Sequence, residues 1–255
     1  MIELKSKREI QLIREGGNIL KQVFAAVRPL IAPGVTTEAL DHAAEKVIRA
    51  QGGEPAFKGY RGFPKTACIS INEAVVHGIP DARRLKDGDV VSFDIGVKWN
   101  GFYADAARTW LVGAADPKKQ ALINAAQGSL SAALTAYQPG WRIGDISETI
   151  QRYVEALGFQ LVRDYAGHGI GRQLHEDPQV PNYGKAGRGA KIEPGLVIAI
   201  EPMVTEGHYA VETLEDGWTV VTKDRKNASH YEDTIVFIEN GFMNLTGDEV
   251  LYPCL

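Results

Sequence analysis

Apolar residues recur at helical spacing in four stretches of the chain, at about 7–28, 36–51, 118–137 and 143–157. Elsewhere the pattern changes to short runs rich in β-branched and aromatic residues. These predict strands near 66–71, 75–77, 89–98, 102–112, 159–163, 196–201, 208–214, 218–222 and 231–238. Turn residues punctuate them at Asn100-Gly101, Pro194-Gly195 and Asn240-Gly241. An Asn-Gly pair between two strand runs predicts a tight type I′ hairpin, and so antiparallel pairing. The class this implies is α+β with antiparallel sheet.

The pattern repeats once along the chain. Pro33-Gly34-Val35-Thr36-Thr37-Glu38-Ala39-Leu40 leads into a helical stretch ending near Gly52. Pro139-Gly140-Trp141-Arg142-Ile143-Gly144-Asp145-Ile146 leads into another ending at Gly158. In register, Pro33 and Pro139, Leu40 and Ile146, Ile48 and Val154, and Gly52 and Gly158 coincide. At nearly the same offset, the run from Asp87 to Asp94 matches that from Pro194 to Glu201: glycine, apolar strand, carboxylate. His77-Gly78-Ile79 echoes His168-Gly169-Ile170. The expectation is one catalytic domain over 1–255, made of two pseudo-symmetric halves at about 1–115 and 116–255, with a site between them.

The 255 residues, 44% of them hydrophobic, suffice to bury a full core. A net charge of −4 gives no support to nucleic acid as a main partner. The basic clusters Lys5/Lys7/Arg8 and Lys223/Arg225/Lys226 read as solvated surface. Two cysteines, Cys68 and Cys254, imply no disulfide framework. The first residues lack the apolar stretch of a signal peptide, and no segment reaches the ~18–20 apolar residues of a membrane span. A reducing cytoplasmic compartment is the simplest expectation.

The carboxylates inside the strands carry the chemistry. A two-residue turn at Asn100-Gly101 pairs Trp99 with Phe102, which sets Asp94 opposite Ala107 and Asp105 opposite Gly96. The two aspartates become diagonal neighbours on one face, ~7–8 Å apart at the backbone. An ionised carboxylate among Val91, Phe93 and Ile95 is costly to bury alone. For Asp94 by itself an ion pair with Arg108 answers that cost equally well. The second half adds Glu201 and Glu232, and His168 lies between the halves in the glycine-rich run Gly167-His168-Gly169-Ile170-Gly171. Four carboxylates and one imidazole suit two divalent cations of the Mn, Fe(II), Co or Zn kind better than a thiolate metal site. His175 and His77 read as groups behind the ligands or facing a substrate, with His77 equally readable as a surface or core residue. His42, His208 and His230 read as ordinary helix or loop residues.

Three segments resemble the bacterial type I methionine aminopeptidases: Asn72-Glu73-Ala74-Val75-Val76-His77-Gly78-Ile79-Pro80, the run from Tyr165 to Glu176, and Ile200-Glu201-Pro202-Met203. The resemblance runs from near Glu9 to near Leu245. It implies the pita-bread fold, two pseudo-symmetric halves around a dinuclear metal site. It implies Asp94, Asp105, His168, Glu201 and Glu232 as metal ligands, with Asp105 and Glu232 bridging. It implies His77 and His175 as catalytic and substrate-contacting groups, Glu201 as the proton carrier, and a methionine pocket lined by Tyr60, Phe63, Cys68 and Trp218. Apart from it, Tyr60 and Phe63 read as loop aromatics packed on a core.

Leu174 stands where relatives often have an aromatic, and Phe57 where some have a smaller residue, which alters the pocket's shape. Only thirty residues separate Glu201 from Glu232, which leaves no room for the helical insertion of type II enzymes. No long zinc-binding extension precedes the first helix, so the expectation is the minimal bacterial form. The implied activity is metal-dependent hydrolytic removal of the initiator methionine when the second residue is small. The implied substrates are peptide and nascent-chain N-termini, acted on by a cytoplasmic monomer with transient ribosome contact and no membrane partner. Proline-specific aminopeptidases and dipeptidases share the fold and ligands but usually carry a large N-terminal domain, for which the position of Asp94 leaves no space. A non-catalytic binding relative would typically have lost ligands.

Overall fold

Each helix begins where a side chain can satisfy its free N–H groups. The computed structural model describes residues 1–247; Cys254 lies outside them, and Cys68 is a buried free thiol. Helix α1 (Lys7–Val27) starts at Ser6, whose hydroxyl accepts from the Glu9 N–H while the Glu9 carboxylate accepts from the Ser6 N–H, a reciprocal capping box. Helix α2 (Thr37–Ala50) is capped by Thr36. Helix α3 (Pro117–Ala136) starts on Asp116, which accepts from the N–H groups of Lys118 and Lys119, with Pro117 in the first turn, where no N–H is needed. In α4 (Ile143–Ala156) Asp145 reaches back to the Arg142 N–H at 2.7 Å. All four lie within about two residues of the expected spans.

The strands are β1 (Glu54–Pro55), β2 (Ala67–Ile71), β3 (Ala74–Val76), β4 (Val90–Trp99), β5 (Phe102–Leu111), β6 (Gln160–Leu161), β7 (Ala166–Gly169) and β8 (Glu176–Pro181). They continue with β9 (Val197–Ile200), β10 (Met203–Thr205), β11 (Val211–Thr213), β12 (Val220–Thr222), β13 (Ala228–His230), β14 (Glu232–Ile238) and β15 (Gly241–Asn244). The largest sheet runs β1-β4-β5-β14-β9-β7-β8, with β2 also on β4 and β15 also on β14. Two small sheets, β13-β10-β6 and β11-β12-β3, flank it. All the pairings are antiparallel.

The expected hairpin is present. Trp99 pairs with Phe102, and Asn100 and Gly101 take φ of 48° and 83°, the left-handed values a type I′ turn requires. Three expectations change. The strand placed at 159–163 shrinks to β6 and that at 208–214 to β11, because only these residues find ladder partners. The turn at Asn240-Gly241 moves back one residue, since Ile238 pairs with Gly241. Strands β1, β7, β8, β10, β13 and β15 were not expected. Lys5, read as surface, is buried: its side chain is 2% exposed and its ammonium lies 2.6 Å from the Glu176 carboxylate.

Two helix pairs cover one side of this sheet system. From α1, Ile13, Leu20, Val23 and Val27 pack with Leu40, Ala44 and Ile48 of α2 onto Phe93, Ile95, Val97 and Ala106. Burying each large aliphatic side chain contributes roughly 1.5–3 kcal/mol. Gly17 lets α1 rest against the backbone of Leu245, where a Cβ would clash with the carbonyl. From α3 and α4, Leu122, Leu130, Ile146, Ile150 and Val154 pack onto Ile198, Ile200, Ile235 and Phe237. No described helix is long and apolar enough to cross a membrane.

Candidate metal centre

The ladder register decides which way the acidic side chains point. Asp94 pairs with Ala107, and Ala107 pairs with Glu232. Asp105, two residues before Ala107, shares its face. Thr234 shares the face of Glu232 and pairs with Ala199, which pairs with His168. Glu201 lies two residues beyond Ala199 and continues that alternation. Strand parity alone thus brings five potential ligands from β4, β5, β7, β14 and the end of β9 to one face. Cys68 pairs with Asp94 and joins them. The helices cover the other face.

Ligand atoms of Asp105, His168 and Glu232 lie within 4.8 Å of one another. His168 Nε2 is 3.7 Å from Glu201 Oε1. The His168 Nδ1 lies 2.9 Å from the Gly169 carbonyl oxygen, which can only accept. The ring proton is therefore on Nδ1, and the Nε2 lone pair faces the carboxylates, the orientation typical of a metal-ligating histidine. Arg108 is not the counter-ion of Asp94. Its guanidinium lies on the far face, 2.6 Å from Asp233 Oδ1 and 2.6 Å from the Glu232 carbonyl oxygen.

Within the described residues, Asp94 Oδ1, Asp105 Oδ1 and Glu232 Oε1 are buried without a hydrogen-bond donor. Burial lifts the pKa values of Asp94, Glu201 and Glu232 well above the carboxylate range, and the neighbouring carboxylates add to it. Burial raises Asp105 to about 7. A group of acceptors that can be neither ionised together nor satisfied by donors fits divalent cations, which supply the missing charge. The oxygen and imidazole set is of the kind that Mn, Fe, Co and Zn share.

This arrangement has a pH signature. The Asp105 carboxyl ionises near 3.8 when free and near 7 in the fold. Stability gained from its protonated form is complete at low pH and is lost as pH rises through that interval. Cations bind the ionised form, so their stabilising effect grows over the same range. The rise in Tm on adding Mn(II) to chelator-stripped protein is expected to be larger at pH 8 than at pH 5.5. Equal or reversed shifts in calorimetry would contradict this electrostatic account.

Beside the cluster lies a cavity of about 160 Å³, lined by Tyr60, Phe63, Cys68, His77, Asp94, Asp105, His168, Leu174, His175, Glu201, Trp218 and Glu232, with Phe57 and Arg61. Every site residue expected from the sequence is at its wall. Phe63 meets Trp218 edge-on at 5.2 Å, and His77 meets Trp218 at 6.4 Å. Phe57 is buried over Gly96, where a Cβ would come within 2.7 Å of its ring. Burial pushes the Cys68 thiol well up, which keeps it protonated and inert as a nucleophile. The Tyr60 hydroxyl is 2.9 Å from His175 Nδ1, and the His175 ring centroid is 4.2 Å from that of His168. His175 is open to solvent on one side; the protein packed against its other side, then the nearby His168 and Arg61, lower its pKa. Burial lowers that of His77.

Two residues near the cluster, His230 beside the carboxylates and Arg61 at the cavity wall, were not among the expected site residues. His230, taken as ordinary, is 1% exposed, with Nε2 3.7 Å from Glu201 Oε2 and 3.9 Å from Glu232 Oε2. Neither of its ring nitrogens has a hydrogen-bond partner among the described residues. Its nearness to Glu232 along the chain was the one available signal, and the break between β13 and β14 at Tyr231 keeps strand alternation from placing it. Arg61 gave no signal, because a left-handed turn places it. His42 lies exposed on α2 and His208 exposed in the loop before β11, as the ordinary helix and loop residues expected.

A buried carboxylate and imidazole cluster beside an apolar-walled pocket is the constellation of a metal-dependent hydrolase. Residues 11–239 match the family model of metallopeptidase family M24. The chain is 50% identical over 241 residues to the methionine aminopeptidase of Clostridium perfringens, covering 94% of this chain and 97% of that one. The crystal structure of the methionine aminopeptidase from Thermotoga maritima superposes with a TM-score of 0.95 at 42% identity, covering 97% of this chain and all of that one. The prolidase of Pyrococcus furiosus shares the fold at a TM-score of 0.77 and 24% identity, over 66% of its length. The chain belongs to metallopeptidase family M24, among its methionine aminopeptidases. The fold is the pita-bread architecture of these proteins.

Proposed function

We propose that this chain hydrolytically removes the N-terminal methionine from peptides and nascent proteins whose second residue is small. The observation that carries the reading is the pocket, walled by aromatic rings and a thiol, that abuts the five-ligand cluster. A thioether packs well on aromatic edges, so such a pocket suits a methionine side chain.

Asp94, Asp105, His168, Glu201 and Glu232 would hold two divalent cations. Such cations, when bound, polarise a carbonyl and acidify water. The protein's groups do the rest. With Tyr60 as donor in its 2.9 Å contact with His175 Nδ1, the Nε2–H of a neutral imidazole is left to stabilise the oxyanion at the scissile carbonyl. Glu201 carries a proton from the attacking water toward the leaving amine. His77 hydrogen-bonds the peptide just past the scissile bond and assists that amine. The packed Phe57, Phe63 and Leu174 hold water and longer side chains out of the pocket.

The whole chain acts as one catalytic unit of two related halves, divided near 115/116, each with its helix pair and its strand-borne carboxylates. It works as a cytoplasmic monomer on free N-termini, with transient contact to the ribosome. Which metal of Mn, Fe(II), Co and Zn serves is a matter of affinity and supply.

The test is peptide specificity in the metal-loaded protein. Free methionine is expected from Met-Gly-Met-Met, at least tenfold less from a peptide with leucine second, and none of the corresponding release from Ala-Pro peptides. Cleavage of the Ala-Pro peptide instead would move the activity to proline peptidases. Cleavage of none would make the chain a binding relative.

A further inference from the structure

The inner end of the cavity is closed by Phe63, Cys68 and Leu174, each at most 5% exposed. Its open side passes His168, His175 and Arg61 into a larger groove of about 700 Å³, which those same three residues also line. A peptide whose first side chain fills the inner pocket therefore has its later residues in this groove. Arg61 stands at the junction, and the backbone puts it there. Its φ is 49°, between Gly59 at 86° and Gly62 at 93°. A non-glycine residue in the left-handed region is uncommon and marks a position the surrounding turn imposes. The guanidinium lies over the Tyr60 ring at 5.4 Å, and Tyr60 stacks on His175 at 5.3 Å.

The charges around it differ in one respect. Arg172 is tied to Glu9 at 2.6 Å and Glu176 to Lys5 at 2.6 Å. Arg61 has no carboxylate partner among the described residues. Its planar fork of N–H donors remains for an incoming carboxylate, which such a fork holds better than an ammonium does.

We propose that Arg61 reads the substrate beyond its second residue, favouring a carboxylate at the third or fourth position. The proposal rests on the aminopeptidase reading above. An extended peptide advances about 3.3 Å per residue. With the scissile carbonyl beside His175, the third and fourth residues pass the guanidinium two rings away. The groove's other walls include Glu3, and Asp177 tied to the Met1 ammonium at 2.6 Å, so a carboxylate away from Arg61 meets no unpaired cation there among the described residues. An exposed ion pair is weak and screened by salt. The effect is therefore a bias, not a requirement.

The experiment compares kcat/KM for C-terminally amidated Met-Ala-Glu-Ala-Ala-Ala and Met-Ala-Lys-Ala-Ala-Ala, and for the pair with the charge moved to the sixth residue. The metal-loaded protein, Arg61→Gln and Arg61→Glu are each assayed. The expected result is a Glu-over-Lys ratio of about fivefold at low salt for the third position, shrinking in high salt. That ratio is lost in Arg61→Gln, inverted in Arg61→Glu, and near one for the sixth position. An equal ratio in the native protein and Arg61→Gln overturns the proposal alone. Methionine release from none of the peptides overturns the activity, and the proposal with it.

Discussion

Asp105→Asn is expected to abolish metal binding and methionine release together while leaving the metal-free fold intact. Asp105 sits in the middle of the β4–β5 ladder, 3% exposed, with one oxygen lacking any donor. Burial already favours its protonated form, up to about pH 7. An amide of the same shape therefore replaces that form at little cost, and it removes one like charge from a crowded group. What the amide cannot do is bridge cations. The stripped variant should melt no lower than the stripped parent, show no rise in Tm with Mn(II), and lose at least about 10³-fold in rate, the scale of several kcal/mol of charge stabilisation. Glu232→Gln is expected to behave alike, since Glu232 shares the face and the burial. Metal analysis, melting and peptide assays read the three quantities separately. Retained metal with retained rate in either variant would remove Asp105 and Glu232 from the centre.

His175→Ala separates chemistry from assembly. The ring touches Tyr60 and His168 but is open to solvent on one side, so its removal leaves little cavity. Metal content and Tm should stay close to the parent's. The rate constant kcat should fall by ~10²–10³, the range found on removing one oxyanion donor, with a much smaller change in KM. Tyr60→Phe should reproduce a fraction of this loss, because it frees the His175 tautomer without removing the ring. A His175→Ala protein at the parental kcat would withdraw the oxyanion role.

Much of this site could be read from residue order because its parts obey local rules. The Asn100-Gly101 turn sets the hairpin register, and the register sets Asp94 and Asp105 on one face. Carboxylates at the ends of apolar runs announced themselves at Asp94 and Glu201 because an unpaired charge there needs a reason. The helix spans followed from the helical spacing of their apolar residues. What escaped depends on distant partners. Strand β7 is Ala-Gly-His-Gly, with almost no side-chain pattern, and is a strand only because β8 and β9 supply its ladder. Strand β8 carries Pro178 and Pro181, which argue against a strand in isolation, yet it lies at the end of the sheet where missing donors are tolerated. His230 was misread because it belongs to the three-residue β13 of a different sheet, so its proximity to Glu201 comes from tertiary packing. The expected Asp94–Arg108 alternative failed for a simple geometric reason: Arg108 neighbours Ala107 and so points to the opposite face.

The most direct test titrates chelator-stripped protein with Mn(II) or Co(II), counting bound metal and free methionine released from Met-Gly-Met-Met at every point. The account predicts no release without metal, release that rises with occupancy, and saturation of binding at two cations per chain. Release that persists in the stripped protein, or full occupancy without release, would contradict it.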